Sequence, residues 1–230
     1  MGLHTLAVDI GGSGIKVMVL DEAGNALTDR DRLETPQPAT PDAVIQVITT
    51  LATGKQFDRV SVGFPGVVRA GKTETAVNLT PEWIGFDLAG ALHTHLEKPV
   101  RVINDADMQG LGAIAGQGVE LVITLGTGFG SALFVNGRLV PNLEMGHHPF
   151  RKGESYEQQL GRAAMDQGGK KKWNDRLLQA IATLQALFNC DVMYIGGGNA
   201  KHINVELPPY VKVVPNVSGL LGGIALWHDS

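Results

Sequence analysis

Residues 6–20 read LAVDIGGSGIKVMVL and predict a strand, a glycine turn and a second strand. Glycine allows a backbone to approach a ligand closely, and the N–H groups of such a turn suit phosphate oxygens. The carboxylate of Asp9, at the end of the first strand, suits a Mg²⁺ ion or its water shell. We therefore expect this segment to bind a phosphate donor through Asp9, Gly11, Gly12, Ser13, Gly14 and Lys16.

Two later segments resemble this one. Residues 121–135, LVITLGTGFGSALFV, repeat the strand–turn–strand pattern and offer Gly126, Thr127 and Gly128 as a second phosphate site. Two copies of one hairpin suggest two related lobes, although repeats this short also arise by chance. A third turn follows a predicted strand and is expected to open a helix, which suits a nucleotide or another phosphate. Its candidate ligands are Gly196, Gly197, Gly198 and Asn199.

Composition narrows the class of protein. The chain has 230 residues, 43% of them apolar, and its predicted strands alternate with helices, which indicates an α/β fold. A net charge of −4 argues against a nucleic-acid binder, and no apolar stretch approaches the roughly 20 residues of a membrane span. The cytoplasm is the expected location.

Cys190 is the one cysteine, so no intramolecular disulfide or multi-cysteine zinc site is expected, and a buried thiol is favoured.

The sequence Asn104-Asp105-Ala106-Asp107 follows a predicted strand at residues 100–103. A carboxylate there could accept the proton of an attacking hydroxyl in phosphoryl transfer. Asp105 is nearer the strand end, whereas Asp107 is favoured as a helix-start residue that satisfies free N–H groups. From spacing alone, helix capping explains both carboxylates as well as catalysis does.

Hydroxyl-binding side chains are concentrated at Glu144, His147 and Glu157, which suit several hydroxyls of a sugar. Asn78 and Trp83 could add a hydrogen bond and an apolar wall. His147 and His148 form a poor metal site because adjacent histidines do not converge easily. A pair of surface histidines is the alternative.

Two further patterns need an interpretation. Residues 66–73, GVVRAGKT, match the P-loop pattern, but Thr, Val and Pro81 follow instead of a helix, so we predict a hairpin that turns at Ala70-Gly71. Lys170-Lys171-Lys172 is a basic run that is usually a solvated helix face. Binding of a polyanionic phosphate donor is the minority interpretation.

Taken together, these motifs resemble the ROK family of sugar kinases in the actin-like ATPase superfamily. The resemblance implies two α/β lobes of ribonuclease-H-like type with an active-site cleft between them. We expect residues 1–103 and 217–230 in one lobe and residues 104–216 in the other. It also implies Asp105 as catalytic base and sugar contacts from Asn78, Asn104, Glu144, His147 and Glu157.

The segment between His148 and Tyr156 lacks the zinc-binding cysteines of many family members, so no zinc site is expected. In this respect the chain resembles the polyphosphate-glucokinase branch. That implies Mg²⁺-dependent transfer from polyphosphate, ATP or both to the 6-hydroxyl of glucose, and a homodimer. The helix-turn-helix domain of the family's repressors is missing, which counts against DNA binding. The alternatives are an ATP-dependent kinase of mannose, fructose or an N-acetyl amino sugar, a non-catalytic sugar-binding protein, and an actin-like hydrolase.

Overall fold

The computed structural model describes residues 2–76, 79–215 and 218–227. The chain divides into two compact units, Met1–Gly112 with Val217–Ser230, and Ala113–Asn216. In chain order, the strands are β1 (Thr5–Ile10), β2 (Ile15–Leu20), β3 (Asp31–Leu33), β4 (Arg59–Phe64), β5 (Val68–Arg69), β6 (Lys72–Thr73), β7 (Phe86–Asp87), β8 (Val100–Asn104), β9 (Val119–Leu125), β10 (Phe129–Val135), β11 (Arg138–Val140), β12 (Pro149–Arg151), β13 (Glu154–Ser155), β14 (Val192–Gly196) and β15 (Val211–Val213). The α-helices are α1 (Pro41–Ala52), α2 (Leu88–Leu96), α3 (Asp105–Leu111), α4 (Tyr156–Leu160), α5 (Arg162–Phe188) and α6 (Ser218–Leu221).

The first unit is built on a five-stranded sheet of order β3-β2-β1-β4-β8. β1 and β2 form the predicted antiparallel hairpin, whereas β1, β4 and β8 run parallel. β1 and β4 are almost entirely buried, as expected for parallel strands that are covered on both faces. Because parallel strands end at the same edge, this topology brings the polar residues after β1, β4 and β8 to one edge of the sheet.

Local sequence signals explain α1. The hydroxyl of Thr40 accepts the Ala43 N–H at 3.3 Å, and Pro41 occupies the first helical turn, where its missing N–H costs nothing. The helix buries Val44, Ile48 and Leu51 in the core of the first unit. Trp83 lies in the same core with no exposed surface, and its indole N–H donates to Ala39 O at 2.8 Å. The expected role of Trp83 as an apolar wall for sugar is therefore wrong.

The C-terminal elements pack on the sheet of the first unit. α6 ends at Leu221, and a 3₁₀-helix continues from Gly222 to Trp227. The Trp227 indole N–H donates to Ser61 Oγ at 2.8 Å, and Arg59 and Arg101 hold their guanidinium carbons 5.0 and 4.5 Å from the ring centroid. α3 packs against both C-terminal elements, so residues 104–112 belong to the first unit by their contacts.

The sheet of the second unit has the order β11-β10-β9-β14-β15. β9 pairs antiparallel with β10 and parallel with β14, as β1 pairs with β2 and β4. The repeat predicted from the two glycine hairpins therefore extends to all five strands of each sheet. Residues 156–188 form α4 and α5, and α5 is broken at Gly169, where φ is 77°.

Other expectations concern single segments. The P-loop match at residues 66–73 forms the β5–β6 hairpin, with Arg69 opposite Lys72, so the hairpin interpretation is confirmed. Cys190 is buried in the core of the second unit, where burial raises the pKa of its thiol. In the described part of the chain, no helix combines the length and apolar character needed to cross a membrane.

Candidate active site

The first glycine turn lies at the end of β1. Lys16 Nζ donates to Asp9 Oδ2 at 2.7 Å, since the two residues are direct partners across the β1–β2 hairpin. The Gly11 N–H donates to Gly14 O at 3.1 Å and closes the turn, with Gly12 and Ser13 exposed at its tip. The six predicted residues therefore lie together, and an ammonium and a carboxylate stand beside the turn.

Two side chains that the sequence did not single out brace this turn. Thr35 Oγ1 donates to Gly11 O at 2.5 Å, and Arg32 Nη2 donates to Ser13 O at 2.6 Å. Carbonyl oxygens repel anions, so occupying these two favours phosphate at the turn. Both braces come from β3 and the segment after it, which are distant in sequence, and no local pattern marks them.

The strand-to-helix junction after β8 separates the roles of the two candidate bases. Asn104 caps α3, because its Oδ1 accepts the N–H groups of Ala106 at 2.8 Å and Asp107 at 3.1 Å. Asp107 lies in the first turn of the same helix, as a helix-start residue should, and its side chain is buried at 1% exposure. Asp105 stands in the first turn with part of its surface exposed, which leaves it the better placed of the two to meet a ligand.

Both polar atoms of the Asn104 side chain form hydrogen bonds within the protein. Besides its capping oxygen, its Nδ2 donates to Gly66 O at 3.1 Å and ties α3 to the loop after β4. Asn78, another predicted sugar contact, lies outside the described residues. The position of Asn104 suits a residue that fixes Asp105 as well as one that binds sugar.

Asp9 and Asp105 lie at the same edge of the sheet, with β4 between their strands. Gly63 of β4 is the register partner of both Asp9 and Ile103. With strands about 4.8 Å apart, the Cα atoms of Asp9 and Ile103 are separated by about 10 Å. The carboxyl edge of parallel strands is the usual ligand-binding edge of α/β sheets.

Gly63 allows α3 to approach β4 closely. A Cβ on this residue would lie 2.9 Å from Met108 Cε and 3.3 Å from the Asp105 Cα. A side chain here would require Met108 to move and the start of α3 to shift by a few tenths of an ångström.

In the second unit, the second and third glycine turns are joined to each other. Asn199 donates its backbone N–H to Leu125 O at 2.8 Å and its Nδ2 to Gly126 O at 2.7 Å. With only 1% of its surface exposed, Asn199 acts as a brace between the turns. Thr127 and Gly198 are the exposed members of the two turns.

The segment after the third turn differs from the expectation. Instead of an α-helix, a single 3₁₀ turn from Ala200 to His202 follows Asn199. The chain then runs toward Pro208 and Pro209, which lack the N–H groups that a helix requires. The α-helix expected at this position is therefore absent, and phosphate binding by the turn itself stays a prediction.

Glu144, His147 and Glu157 lie near one another in the second unit. Glu144 Oε2 is 3.7 Å from His147 Nε2. Burial raises the pKa of Glu144; the charge of His147 lowers that pKa and the charge of Glu157 raises it. Glu157 approaches the second glycine turn, where its Oε2 accepts the Phe129 N–H at 3.4 Å and would overlap a Cβ on Gly128. The three side chains present two carboxylates and an imidazole beside that turn.

Ser131 holds the segment that carries Glu144 and His147. Its Oγ donates to Leu143 O at 2.5 Å and accepts the Met145 N–H at 3.1 Å. α4, which carries Glu157, begins with a reciprocal capping box between Ser155 and Gln158. The Ser-x-x-Gln pattern of this box is visible in the sequence, whereas the role of Ser131 depends on tertiary contacts.

The side chains beside the first glycine turn fit Mg²⁺ better than a metal ion whose ligands all come from the protein. Within the described ranges, no group of three or more His, Cys, Asp or Glu side chains could hold a metal ion. Mg²⁺ often keeps several waters and uses one or two carboxylates together with substrate phosphates. Asp9, beside the first glycine turn, is a carboxylate suited to that arrangement.

Comparison with known proteins places these features in a family. A family model described as the ROK family matches residues 5–161. The polyphosphate glucokinase of Mycobacterium tuberculosis H37Rv is 34% identical, over 95% of this chain and 89% of that protein. An inorganic polyphosphate/ATP-glucomannokinase from Arthrobacter sp. strain KM is 33% identical, with a TM-score of 0.88 over 98% of this chain and 100% of that one. A glucokinase from Streptomyces griseus shares the fold, with a TM-score of 0.79 at 21% identity over 97% of this chain and 98% of that one.

Proposed function

The chain belongs to the ROK family, and from this premise we propose that it is a glucokinase that uses polyphosphate, ATP or both as phosphoryl donor. The observation that carries the proposal is 34% identity to a polyphosphate glucokinase over almost the whole of both chains. The partly exposed Asp105 at the carboxyl edge of the first sheet supports it, because phosphoryl transfer to an alcohol needs a base at such a position.

In the proposed reaction, Asp105 accepts the proton of the glucose 6-hydroxyl. The oxygen then bonds to the terminal phosphorus of the donor, and the bridging P–O bond breaks. The electron pair of that bond leaves with ADP or with a polyphosphate that is one phosphate shorter. The products are glucose 6-phosphate and this leaving group, and the proton taken by Asp105 is released afterwards.

Sugar recognition is assigned to Asn104, Glu144, His147 and Glu157. Carboxylates accept hydrogen bonds from sugar hydroxyls, and charge-assisted bonds are roughly twice as strong as neutral ones. The imidazole of His147 can donate or accept, according to its tautomer. Asn78 is part of the same proposal through the family resemblance.

Donor binding is assigned to the three glycine turns with Lys16, which supply N–H groups and a positive charge. Mg²⁺, held by Asp9 directly or through water, would offset the negative charge on the transferred phosphoryl group. Asn199 contributes by bracing the second and third turns. A homodimer is carried over from the family, and light scattering in solution distinguishes the mass of one chain from that of two.

The experiment is glucose 6-phosphate formation by the purified protein with Mg²⁺ and either ATP or long-chain polyphosphate. Product with either donor supports the kinase, and product with polyphosphate supports the wider donor range. Glucose binding without product from either donor would replace this proposal with a sugar-binding protein. Mannose belongs in the same assay because the Arthrobacter relative is described as a glucomannokinase.

A further inference from the structure

Four basic residues form a cluster in the second unit, and the proposed chemistry does not use it. Arg162 begins α5, Lys170 follows the break in that helix, and Lys201 and His202 lie in the 3₁₀ turn after the third glycine turn. The effect of the other charges on the pKa of His202 indicates that they lie near it. Burial lowers the pKa of His202 first, and the charges of Lys170, Lys201 and Arg162 lower it further, while Asp166 opposes them.

A buried asparagine fixes two parts of this cluster to each other. Asn174 has no exposed surface, and its Nδ2 donates to Lys170 O at 2.9 Å and to His202 O at 3.1 Å. Its Oδ1 accepts the Asn204 N–H at 3.1 Å. The start of the helical segment after Gly169 and the turn after the third glycine motif are therefore held side by side by one side chain.

The cluster is continuous with the glycine turns. The backbone N–H of Arg162 donates to Gly126 O at 3.1 Å and to Thr127 O at 3.2 Å, so α5 starts against the second turn. Lys201 and His202 follow directly on the third turn, which Asn199 ties to Gly126. Basic residues therefore lie beside the second turn, at the start of α5, and directly after the third turn.

These charges are not neutralised locally. Within residues 2–76, 79–215 and 218–227, the ion pairs closer than 4.0 Å involve Lys16, Lys55 and His147, and none involves Arg162, Lys170 or Lys201. The chain as a whole has a net charge of −4, so this concentration of cations is a local exception. Like charges held together repel one another, and a bound polyanion relieves that repulsion.

We propose that Arg162, Lys170, Lys201 and His202 bind the part of an inorganic polyphosphate chain that extends beyond the phosphates held by the glycine turns. The inference rests on the proposed function and adds the residues that favour one donor. Polyphosphate carries negative charge along its whole length, whereas ATP ends in an uncharged nucleoside. The cluster therefore stabilises bound polyphosphate more than bound ATP.

The Lys170–Lys172 run accordingly divides into a functional residue and two solvated ones. Lys170, Lys171 and Lys172 are all exposed, but it is the backbone oxygen of Lys170 that Asn174 holds beside that of His202. Successive residues of a helix point about 100° apart, so neighbours in sequence face different surroundings. Lys171→Glu and Lys172→Glu are thus matched controls with the same charge change.

The test compares Lys170→Glu and Lys201→Glu with these two controls and with the unaltered protein. For each we would measure KM and kcat with long-chain polyphosphate, tripolyphosphate and ATP. We expect KM for long-chain polyphosphate to rise about tenfold in Lys170→Glu and Lys201→Glu. The rise should be several-fold smaller with tripolyphosphate and with ATP, and the controls should change KM by less than about twofold.

Salt provides a second readout, because release of counterions makes polyanion binding weaken with ionic strength. The salt dependence of KM for polyphosphate should be less steep in Lys170→Glu than in Lys171→Glu. Equal losses with all three donors, or equal losses in test and control variants, would overturn the inference. So would an unaltered protein that uses ATP and not polyphosphate, although its kinase activity would stand. No product from any donor would instead reject the proposed function.

Discussion

Asp105 and Asp107 show how much the setting of a carboxylate decides what it can do. The two are separated by one residue, yet Asp107 is buried in the first unit and Asp105 keeps part of its surface exposed. A base for an incoming hydroxyl must be reachable by that hydroxyl. The assignment of the base therefore follows from exposure and not from the type of residue.

For Asp105→Asn, we expect kcat for glucose phosphorylation to fall by roughly 10²–10⁴-fold, because the amide cannot accept the proton. Glucose affinity, measured by calorimetry, should stay within a few-fold of the original value, since the side chain keeps its size. Asp107→Asn is the paired variant, and its effect should be on stability. Near-normal turnover in Asp105→Asn would show that another group is the base.

Glu144 is held at a cost to stability, because burial raises its pKa above the ordinary value of 4.5. The folded protein therefore binds a proton at this site more readily than the unfolded chain does. As pH rises from about 4.5 through the raised pKa, ionisation of Glu144 progressively lowers the free energy of unfolding. The full decrease is reached above the raised pKa. Below the ordinary value the cost vanishes.

Glu144→Gln should thus raise the free energy of unfolding at pH 8 by up to about 1 kcal/mol, a small effect because the side chain is one-third exposed. At pH 4, where Glu144 is itself protonated, the gain should be absent. The same change should raise KM for glucose about tenfold, since a charged acceptor is replaced by a neutral one. Urea unfolding at the two pH values and glucose kinetics measure both effects. A variant that is less stable at pH 8 would contradict this account.

At the scale of elements, the contact between β4 and α3 positions the proposed base. Gly63 leaves room for Met108 and for the start of the helix, and Asn104 fixes the helix to the loop after β4. The position of Asp105 thus depends on a strand that is about 40 residues earlier in the chain.

Gly63→Ala should lower kcat about tenfold or more, because the new methyl group displaces Asp105 by a fraction of an ångström. The control is Val62→Ala on the same strand, which removes buried methyl groups at a cost of roughly 2 kcal/mol in stability. That control should keep its kcat at temperatures well below its Tm. If both variants lose stability and neither loses kcat, the contact is structural only.

The segment before β9 is held by one buried side chain, that of Glu120. Its carboxylate accepts the backbone N–H groups of Ala115, Gly116 and Gln117 at 2.7–3.0 Å, as well as the Tyr194 hydroxyl at 3.0 Å. These four bonds fix the start of the second unit against β9 and β14. A carboxylate with several backbone donors is a strong local anchor.

At the scale of the whole molecule, the first unit is assembled from two distant parts of the chain. Residues up to Gly112 form its sheet, and the segment after residue 216 returns to cover it. Trp227 helps to fasten this return, through Ser61 and the two guanidinium groups. Stability of the first unit is therefore sensitive to the last residues of the chain.

Trp227→Ala should reduce the free energy of unfolding by roughly 2 kcal/mol, the sum of one hydrogen bond and two cation–π contacts. Amide hydrogen exchange should accelerate in β1, β4 and β8 and stay close to its original rate in β9 and β14. Trp227→Phe keeps a ring for the arginines and loses the hydrogen bond, so its effect should be intermediate. Equal acceleration in both sheets would show that the two units unfold together.

Much of the fold could be predicted because its signals are local. The two glycine hairpins, the cap at Thr40 and the turn at Ala70-Gly71 depend on residues that are close in sequence. The expectations that proved wrong needed information from distant segments. Trp83, for example, is buried against Ala39 and the surrounding core.

The sequence by itself determined the α/β class, the repeated hairpin, the kinds of side chain that could bind phosphate and sugar, and the family resemblance. Only the tertiary structure decided which of these side chains are exposed and which are buried as braces. Asn199 braces two turns, and Asp107 is buried whereas Asp105 is partly exposed. The physical reason is that exposure and charge depend on neighbours from distant parts of the chain, and such neighbours leave no local pattern.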